Sequence, residues 1–199
     1  MTDSAFLFAP GAGAPSSSAW IQNFAKRLAR LGRVVCFDYA YMQAGRRTPD
    51  RLPALIAAHR AAFEALAAKH RGDIVLIGKS MGGRIGCHLA NELPSDRIRA
   101  LVCLGYPLIG QSGAVRDAVL LELAKPILFV QGSRDPMCPL DRLSDVQTRM
   151  PVPHATHIVE GGDHSLLVRK GELKSSGRRQ EDIDESVVSR IGAFLAELT

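Results

Sequence analysis

Residues 74–82 read Ile-Val-Leu-Ile-Gly-Lys-Ser-Met-Gly, and this stretch determines which fold the chain is expected to adopt. Its first four residues form a short apolar run of the kind found in strands that are buried on both faces. Gly78, Ser80 and Gly82 then give the pattern G-x-S-x-G, directly before an apolar-striped stretch that favours a helix. Between a strand and a helix this pattern is typical of a sharp, strained turn that presents its serine as a nucleophile. Ser80 is therefore the candidate nucleophile, and a plain glycine-rich turn with a solvent-facing serine is the alternative.

Lys79 and Ser80 together also resemble the end of a phosphate-binding loop, which would indicate a nucleotide site. That motif, G-x-x-x-x-G-K-[ST], requires a glycine where this chain has Asp73. The residues between the two glycine positions would have to form a loop, whereas Ile74 to Ile77 favour a strand. The sequence therefore argues against a nucleotide site at this turn.

Short apolar runs alternate with longer amphipathic stretches along the whole chain. The expected strands are Ala5–Ala9, Val34–Asp38, Ile74–Gly78, Ala100–Leu104, Ile127–Gln131 and Thr156–Glu160. The expected helices are Ser17–Leu31, Pro49–His70, Met81–Leu93, Asp141–Met150 and Asp184–Leu198, and the basic stretch Lys170–Arg179 is expected to be a solvated loop. This alternation predicts a single α/β domain over residues 1–199, with a doubly wound, mostly parallel sheet of about six strands and helices on both faces. In such folds ligands bind beyond the carboxyl ends of the strands.

A serine hydroxyl needs a neighbouring base, and in folds with this serine turn the partners follow in the order Asp or Glu, then His. Asp135 lies on the loop after the fifth expected strand, where it can orient an imidazole. His164 follows the sixth expected strand, on a loop whose two glycines let it turn back towards Ser80. Asp163 is a competing acid, although adjacent residues rarely present their side chains to each other. Asp135 also has a plainer interpretation, as an ordinary residue of an Asp-Pro turn.

The first expected strand ends in Ala9-Pro10-Gly11-Ala12-Gly13-Ala14-Pro15, a run of small residues that lets the backbone approach the nucleophile. An amide of this loop, assigned to Ala12, would join the amide of Met81 in stabilising a tetrahedral oxyanion. A plain glycine-rich turn is the alternative.

Residues that follow strand ends are expected to line the substrate pocket: Tyr41, Met42, Tyr106, Leu108, Met137 and Cys138. The loop 109–113 is expected either to cover this pocket as a short flap or to act as a plain connector.

Composition narrows the remaining classes of function. The 199 residues include 25 basic and 20 acidic side chains, which gives a formal net charge of +5. Because basic and acidic residues are interspersed, without aromatic–basic alternation, we expect no nucleic-acid partner. The apolar runs are too short for a membrane span or a secretory signal, so we expect no membrane partner and a cytoplasmic location. The four cysteines are widely spaced, and free buried thiols are expected rather than disulfides.

Six stretches of the sequence resemble the small α/β-hydrolase-like proteins of the KANL/Tex family, distant relatives of the dienelactone hydrolases. They are Pro10-Gly11-Ala12-Gly13, Phe37-Asp38-Tyr39-Ala40-Tyr41-Met42, Gly78-Lys79-Ser80-Met81-Gly82-Gly83-Arg84, Gly105-Tyr106-Pro107-Leu108, Val130-Gln131-Gly132-Ser133-Arg134-Asp135 and Gly162-Asp163-His164-Ser165. Such proteins often have a histidine before the first glycine of the oxyanion loop, where this chain has Pro10. The resemblance implies a compact α/β-hydrolase fold without a large lid domain, and a triad of Ser80, Asp135 and His164.

These residues together predict a serine hydrolase that acts on a small-molecule, ester-like substrate through an acyl-enzyme. Such chemistry requires no metal or organic cofactor, and the sequence has no cluster with metal-ligand spacing. The alternative is a non-catalytic interaction module that retains the fold, since a fold by itself does not imply an activity. The complete set of serine, acid and histidine favours the enzyme, because a binding module has no physical need for all three. The identity of the substrate and the oligomeric state are not predicted.

Overall fold

The computed structural model describes residues 4–110 and 112–198, which form a six-stranded sheet. The strands are β1 (Ala5–Ala9), β2 (Arg33–Cys36), β3 (Ile74–Lys79), β4 (Ile98–Leu104), β5 (Ile127–Gly132) and β6 (His154–Val159). They lie in the order β2-β1-β3-β4-β5-β6, and every neighbouring pair is parallel. The predicted doubly wound α/β architecture is confirmed, and the carboxyl ends of all the strands meet at one edge of the sheet.

Helices cover both faces of this sheet. They are α1 (Ala19–Leu28), α2 (Ala40–Gln43), α3 (Leu52–Ala67), α4 (Met81–Glu92), α5 (Ala118–Leu121), α6 (Leu140–Gln147), α7 (Lys170–Ser176) and α8 (Gln180–Glu197). The apolar residues of α1 and α8 pack into one core, on what we call the α1/α8 face. Those of α3, α4, α5 and α6 pack into a second core, on what we call the α4 face.

The central strand β3 contributes to both cores. Val75 and Ile77 belong to the core on the α1/α8 face, whereas Ile74 and Leu76 belong to the core on the α4 face. This alternation follows from the two-residue repeat of side chains along a strand. Because both faces are covered, the strand is apolar until its end. There the side chain of Lys79 points to the same α1/α8 face as those of Val75 and Ile77.

One stretch that was expected to be a loop is helical. Residues Lys170–Ser176 form the exposed helix α7, which ends at Gly177 with a φ of 65°, a conformation that glycine adopts without strain. Helix α8 begins at Gln180, earlier than expected, because Asp182 accepts a 2.8 Å hydrogen bond from the amide of Arg179 and so caps the helix. The sequence does not predict α2 and α5, since helices of four residues show too little periodicity.

The cysteines of the described residues are all free. Cys36 is partly exposed, whereas Cys87, Cys103 and Cys138 are buried. Burial raises the pKa of the Cys138 thiol to about 12, so this thiol remains protonated and unreactive at neutral pH.

Within residues 4–110 and 112–198, no helix has both the length and the apolar content that a bilayer crossing requires.

Candidate active site

Ser80 occupies the tight turn between β3 and α4, where its backbone has a φ of 49° and a ψ of −115°. A positive φ is uncommon for a residue with a side chain, and such strain is typically stored at functional sites. Neighbouring glycines permit the turn, since a Cβ on Gly82 would lie 2.5 Å from the carbonyl oxygen of Ala9. The turn therefore brings the Ser80 hydroxyl to the carboxyl end of the sheet, at the N-terminus of α4.

Three side chains that are distant in the sequence form one continuous chain of hydrogen bonds. Nε2 of His164 lies 2.8 Å from Oγ of Ser80, and Nδ1 of His164 lies 2.7 Å from Oδ2 of Asp135. Because an ionised carboxylate can only accept, the proton between His164 and Asp135 belongs on Nδ1. Nε2 then keeps a lone pair, which accepts a hydrogen bond from the Ser80 hydroxyl. In this arrangement an imidazole can remove the hydroxyl proton.

The carboxylate of Asp135 is completely buried and is held by three donors. In addition to His164, the amide group of Gln131 donates from Nε2 to Oδ2 at 2.5 Å, and the backbone N–H of Met137 donates to Oδ1 at 2.8 Å. These hydrogen bonds replace the water that a buried carboxylate loses. Gln131 is absent from the predicted site. The available signal was a polar side chain near the end of the otherwise apolar strand β5.

Asp163, the competing acid, shapes the histidine loop. Its Oδ1 accepts hydrogen bonds from the amides of Ser165 and Leu167 at 2.7 and 3.0 Å. These bonds enclose Leu166, which is buried and has a φ of 62°. The carboxylate of Asp163 is thus engaged by the backbone of its own loop, whereas the imidazole of His164 is paired with another acid.

The glycine-rich loop after β1 passes beside the nucleophile. A Cβ on Gly11 would lie 3.6 Å from Cβ of Ser80, so the backbones of loop and turn are close. Across the described ranges 4–110 and 112–198, the amides of Ala12 and Met81 donate no hydrogen bond, which leaves both predicted oxyanion donors available. The hydroxyl of Tyr41 donates a 3.0 Å hydrogen bond to the carbonyl oxygen of Ala12. Burial raises the pKa of Tyr41 to about 12, so this hydroxyl keeps its proton.

A cavity of about 550 Å³ opens beside Ser80 and His164. The rest of its wall is mainly apolar and consists of Gly11, Ala12, Gly13, Ala14, Ser18, Trp20, Ile21, Lys79, Met137, Ser165 and Leu167. Trp20 and Ile21 belong to α1, which places the cavity on the α1/α8 face. Sequence reasoning missed Trp20 and Lys79 as wall residues. For Lys79 the alternation along β3 was a usable signal, whereas the spacing of Trp20 in its helix is equally typical of an ordinary apolar stripe.

The cavity differs from the predicted substrate pocket. Of the six residues predicted for that pocket, Met137 lines the cavity. Tyr41 and Met42 instead line a second cavity of about 490 Å³, which shares Ala12, Gly13 and Ala14 with the first. Three other residues are fully buried in the core on the α4 face: Tyr106, Leu108 and Cys138. All three follow strand ends, but their side chains continue the core there, so they do not line the cavity as expected.

The loop 109–113, expected as a flap or a connector, includes Gln111, which lies outside the described residues. Ile109 pairs with Val115 through an isolated antiparallel bridge. The described residues of this loop are not part of the cavity wall. Ile109 also donates a 2.7 Å hydrogen bond to the carbonyl oxygen of Met137, so the described part of the loop contacts a wall residue without lining the cavity itself.

Several solved structures resemble this chain over most of its length. An alpha-beta serine hydrolase homologue from Coxiella burnetii aligns with 19% identity and a TM-score of 0.70, over 94% of this chain and 85% of that one. The esterase domain of a Rhodothermus marinus protein aligns with 17% identity and a TM-score of 0.66, over 96% and 85%. A dienelactone hydrolase from Anabaena variabilis aligns with 19% identity and a TM-score of 0.68, over 92% and 85%. At these identities the likeness shows the fold alone.

The sequence itself matches a known family. Residues 2–196 match the sequence model of a family that is described as an alpha/beta hydrolase domain. The matched span contains the turn at Ser80, the loops that carry Asp135 and His164, and all the strands between them. The chain therefore belongs to the alpha/beta hydrolase domain family.

Proposed function

We propose that this protein is a serine hydrolase that cleaves a small carboxylic ester through an acyl-enzyme. Ser80 is the nucleophile, His164 the general base and acid, and Asp135 the group that orients the imidazole. The observation that carries the proposal is the unbroken hydrogen-bond chain Ser80–His164–Asp135 at the edge of an open cavity. Membership of a hydrolase family supports the reaction class. The narrower resemblance to KANL/Tex proteins stays a prediction.

The reaction begins with attack of Ser80 Oγ on the ester carbonyl carbon, while the hydroxyl proton moves to Nε2 of His164. The carbonyl π electrons move to oxygen, which gives a tetrahedral oxyanion. When the oxyanion collapses, the bond to the alcohol oxygen breaks, and His164 returns its proton to the departing alkoxide. A water then attacks the acyl-enzyme, again losing a proton to His164. The second collapse releases the carboxylic acid and restores the Ser80 hydroxyl.

The free amides of Ala12 and Met81 are our candidates for stabilising the oxyanion. Met81 is the first residue of α4, so its N–H is one of those that a helix leaves without an internal acceptor. Developing negative charge is also favoured at this end of the helix dipole. The loss of one such donor typically lowers turnover by about 100- to 1000-fold.

The substrate class follows from the cavity beside Ser80. Its wall is dominated by Trp20, Ile21, Met137 and Leu167, which favour an apolar acyl or alcohol group. The substrate we propose is therefore an uncharged, partly apolar ester.

A fluorophosphonate probe tests the proposal directly, because it reacts preferentially with a serine that a neighbouring base activates. Wild-type protein is expected to be labelled once, at Ser80, and to hydrolyse p-nitrophenyl esters. The Ser80→Ala variant is expected to lose labelling and about 10⁶-fold of turnover. Ser144→Ala, on the exposed side of α6, is the matched control and should react like wild type.

Two outcomes would contradict the proposal. If folded wild-type protein remains unlabelled while a control hydrolase reacts, the chain is better described as an interaction module that retains the fold. If Ser80→Ala keeps near-normal turnover, the nucleophile is a different residue.

A further inference from the structure

The histidine loop is tied to the rest of the molecule through two successive carbonyl groups. The ammonium group of Lys79 donates a hydrogen bond from Nζ to the carbonyl oxygen of His164. The indole of Trp20 donates from Nε1 to the carbonyl oxygen of Ser165 at 2.9 Å. The two donors come from different elements, since Lys79 ends β3 and Trp20 lies in the first turn of α1. The backbone that directly follows the Cα of His164 is thus fixed from outside its own loop.

Lys79 has little freedom to do anything else. Its side chain is 8% exposed and lies against the oxyanion loop, where a Cβ on Gly11 would be 3.3 Å from Cγ of Lys79. Its Nζ lies 5.6 Å from the centroid of the Trp20 ring, which allows a cation–π interaction between the two donors. The remaining side of the ammonium is bounded by Gly105, where a Cβ would lie 3.3 Å from Nζ.

We propose that Lys79 and Trp20 are positioning residues, which hold the main chain of His164 and Ser165 so that Nε2 of His164 stays within hydrogen-bond distance of Ser80. This inference rests on the proposed function. It extends that proposal because the two residues act through the imidazole rather than on the reacting carbonyl. Catalytic geometry is sensitive to such support, and a misplacement of about 1 Å can lower a rate roughly 100-fold.

Because Lys79 is charged, its effect on the histidine loop is expected to depend on pH. Burial lowers the pKa of Lys79 to about 8, an effect that the carboxylates of Asp135 and Asp163 partly oppose. Among the described residues, these two acids, on the loops after β5 and β6, are the groups whose charge acts on the ammonium, while His164 meets it with its carbonyl oxygen and Trp20 faces it from α1 without charge. As the pH rises through about 8, a charge-assisted hydrogen bond becomes a weaker neutral one. Turnover by wild-type protein is therefore expected to fall at alkaline pH.

The experiment compares kcat, KM and the fluorophosphonate labelling rate for wild type, Lys79→Met and Trp20→Phe. Lys79→Met keeps the length of the side chain but removes its donor, and kcat is expected to fall about 10- to 100-fold, with KM within about twofold. Trp20→Phe keeps an aromatic ring and removes the indole N–H, and kcat is expected to fall about 3- to 10-fold. Because both bonds support one loop, the double variant should lose less than the product of the two single losses.

Stability separates a positioning role from a merely structural one. Burial disfavours the charged form of Lys79, as its lowered pKa indicates, so removing the charge should keep the Tm of Lys79→Met level or raise it while its kcat falls. The alkaline decline near pH 8 should be present in wild type and absent in Lys79→Met. Lys69→Met, at an exposed position after α3, is the control and should match wild type in every measurement.

Each contrary result has a separate meaning. If wild type is active but Lys79→Met keeps kcat within twofold, or loses activity only through KM, the positioning role is wrong while the serine hydrolase proposal stands. Persistence of the alkaline decline in Lys79→Met also overturns it. If wild type neither reacts with the probe nor cleaves esters, the proposed function fails, and the role of Lys79 and Trp20 fails with it.

Discussion

Gln131 and His164 donate hydrogen bonds to the same carboxylate oxygen, Oδ2 of Asp135, at 2.5 and 2.7 Å. Gln131 is itself fully buried, and its Oε1 accepts a 2.9 Å hydrogen bond from the backbone amide of Tyr106. The backbone of Tyr106, just after β4, is therefore linked through Gln131 to the acid that orients the imidazole. The position of Asp135 depends on this contact as well as on its own loop.

Gln131→Leu is expected to lower kcat about tenfold, because Asp135 loses a donor and gains freedom to turn away from His164. The same change leaves the Tyr106 amide buried without an acceptor, at a cost of about 1–3 kcal/mol in the free energy of unfolding. Ester hydrolysis and urea unfolding check the two effects separately. Gln147→Leu removes a comparable bond, to Thr156, far from the site and should leave kcat unchanged. Equal kcat values for the Gln131 variant and wild type would contradict the role assigned to Gln131.

The strained backbone of Ser80 predicts an unusual order of stabilities. The backbone of Ser80 has a φ of 49°, which glycine adopts without steric cost. Ser80→Gly should therefore be more stable than Ser80→Ala by about 1 kcal/mol. At Ser144, inside α6, the order should reverse, and the glycine variant should be about 1 kcal/mol less stable than the alanine variant. Chemical denaturation of the four variants gives the comparison. An alanine variant that is the more stable at both positions would show that the turn carries no such strain.

His59 is expected to make the fold sensitive to acid. Burial lowers its pKa to about 3, whereas an unfolded chain protonates histidine near pH 6.5. Between these values the unfolded state binds a proton that the folded state does not. Stability therefore falls as the pH decreases through this window, by up to about 1.4 kcal/mol per pH unit from this group. Above pH 6.5 the contribution is constant.

Urea unfolding between pH 7 and pH 4 measures this effect. His59→Phe should show a shallower loss of stability than wild type over that range, whatever its stability at pH 7. His154→Gln, at an exposed position on β6, should retain the wild-type slope. If His59→Phe and wild type lose stability in parallel, His59 does not drive the acid response.

The apolar cavity predicts a dependence on acyl length. Each methylene that enters the cavity is expected to contribute about 0.8 kcal/mol, or roughly fourfold in kcat/KM, until the cavity is filled. Leu167 lines the cavity and is 44% exposed, so Leu167→Trp should narrow the opening and shift the preference to shorter acyl groups. Leu31→Trp, at an exposed position after α1, is the control. A series of p-nitrophenyl esters from acetate upwards tests this, and a flat profile would place the acyl group elsewhere.

The sequence determined the architecture and most of the hydrogen-bond chain for a local reason. Strand burial on both faces leaves continuous apolar runs, and a serine turn needs glycines at set distances, so both features are visible in short windows such as 74–82. Ser80, Asp135 and His164 each follow such a run, and parallel strands bring their carboxyl ends to one edge. Their convergence could therefore be expected from residue order, and the structure brings the three side chains together.

Only the tertiary structure decided that the cavity beside Ser80 lies on the α1/α8 face of the sheet. Tyr106, Leu108 and Cys138 follow strand ends as Met137 does, yet they are buried in the core on the α4 face, while Trp20 of α1 is part of the cavity wall. The same holds for the contacts of Lys79 and Gln131, whose partners lie 85 and 4 residues away in the sequence. Local sequence patterns record the periodicity of burial along each element. They do not record how far α1 and the loops extend across the sheet edge, because that depends on how both cores pack together.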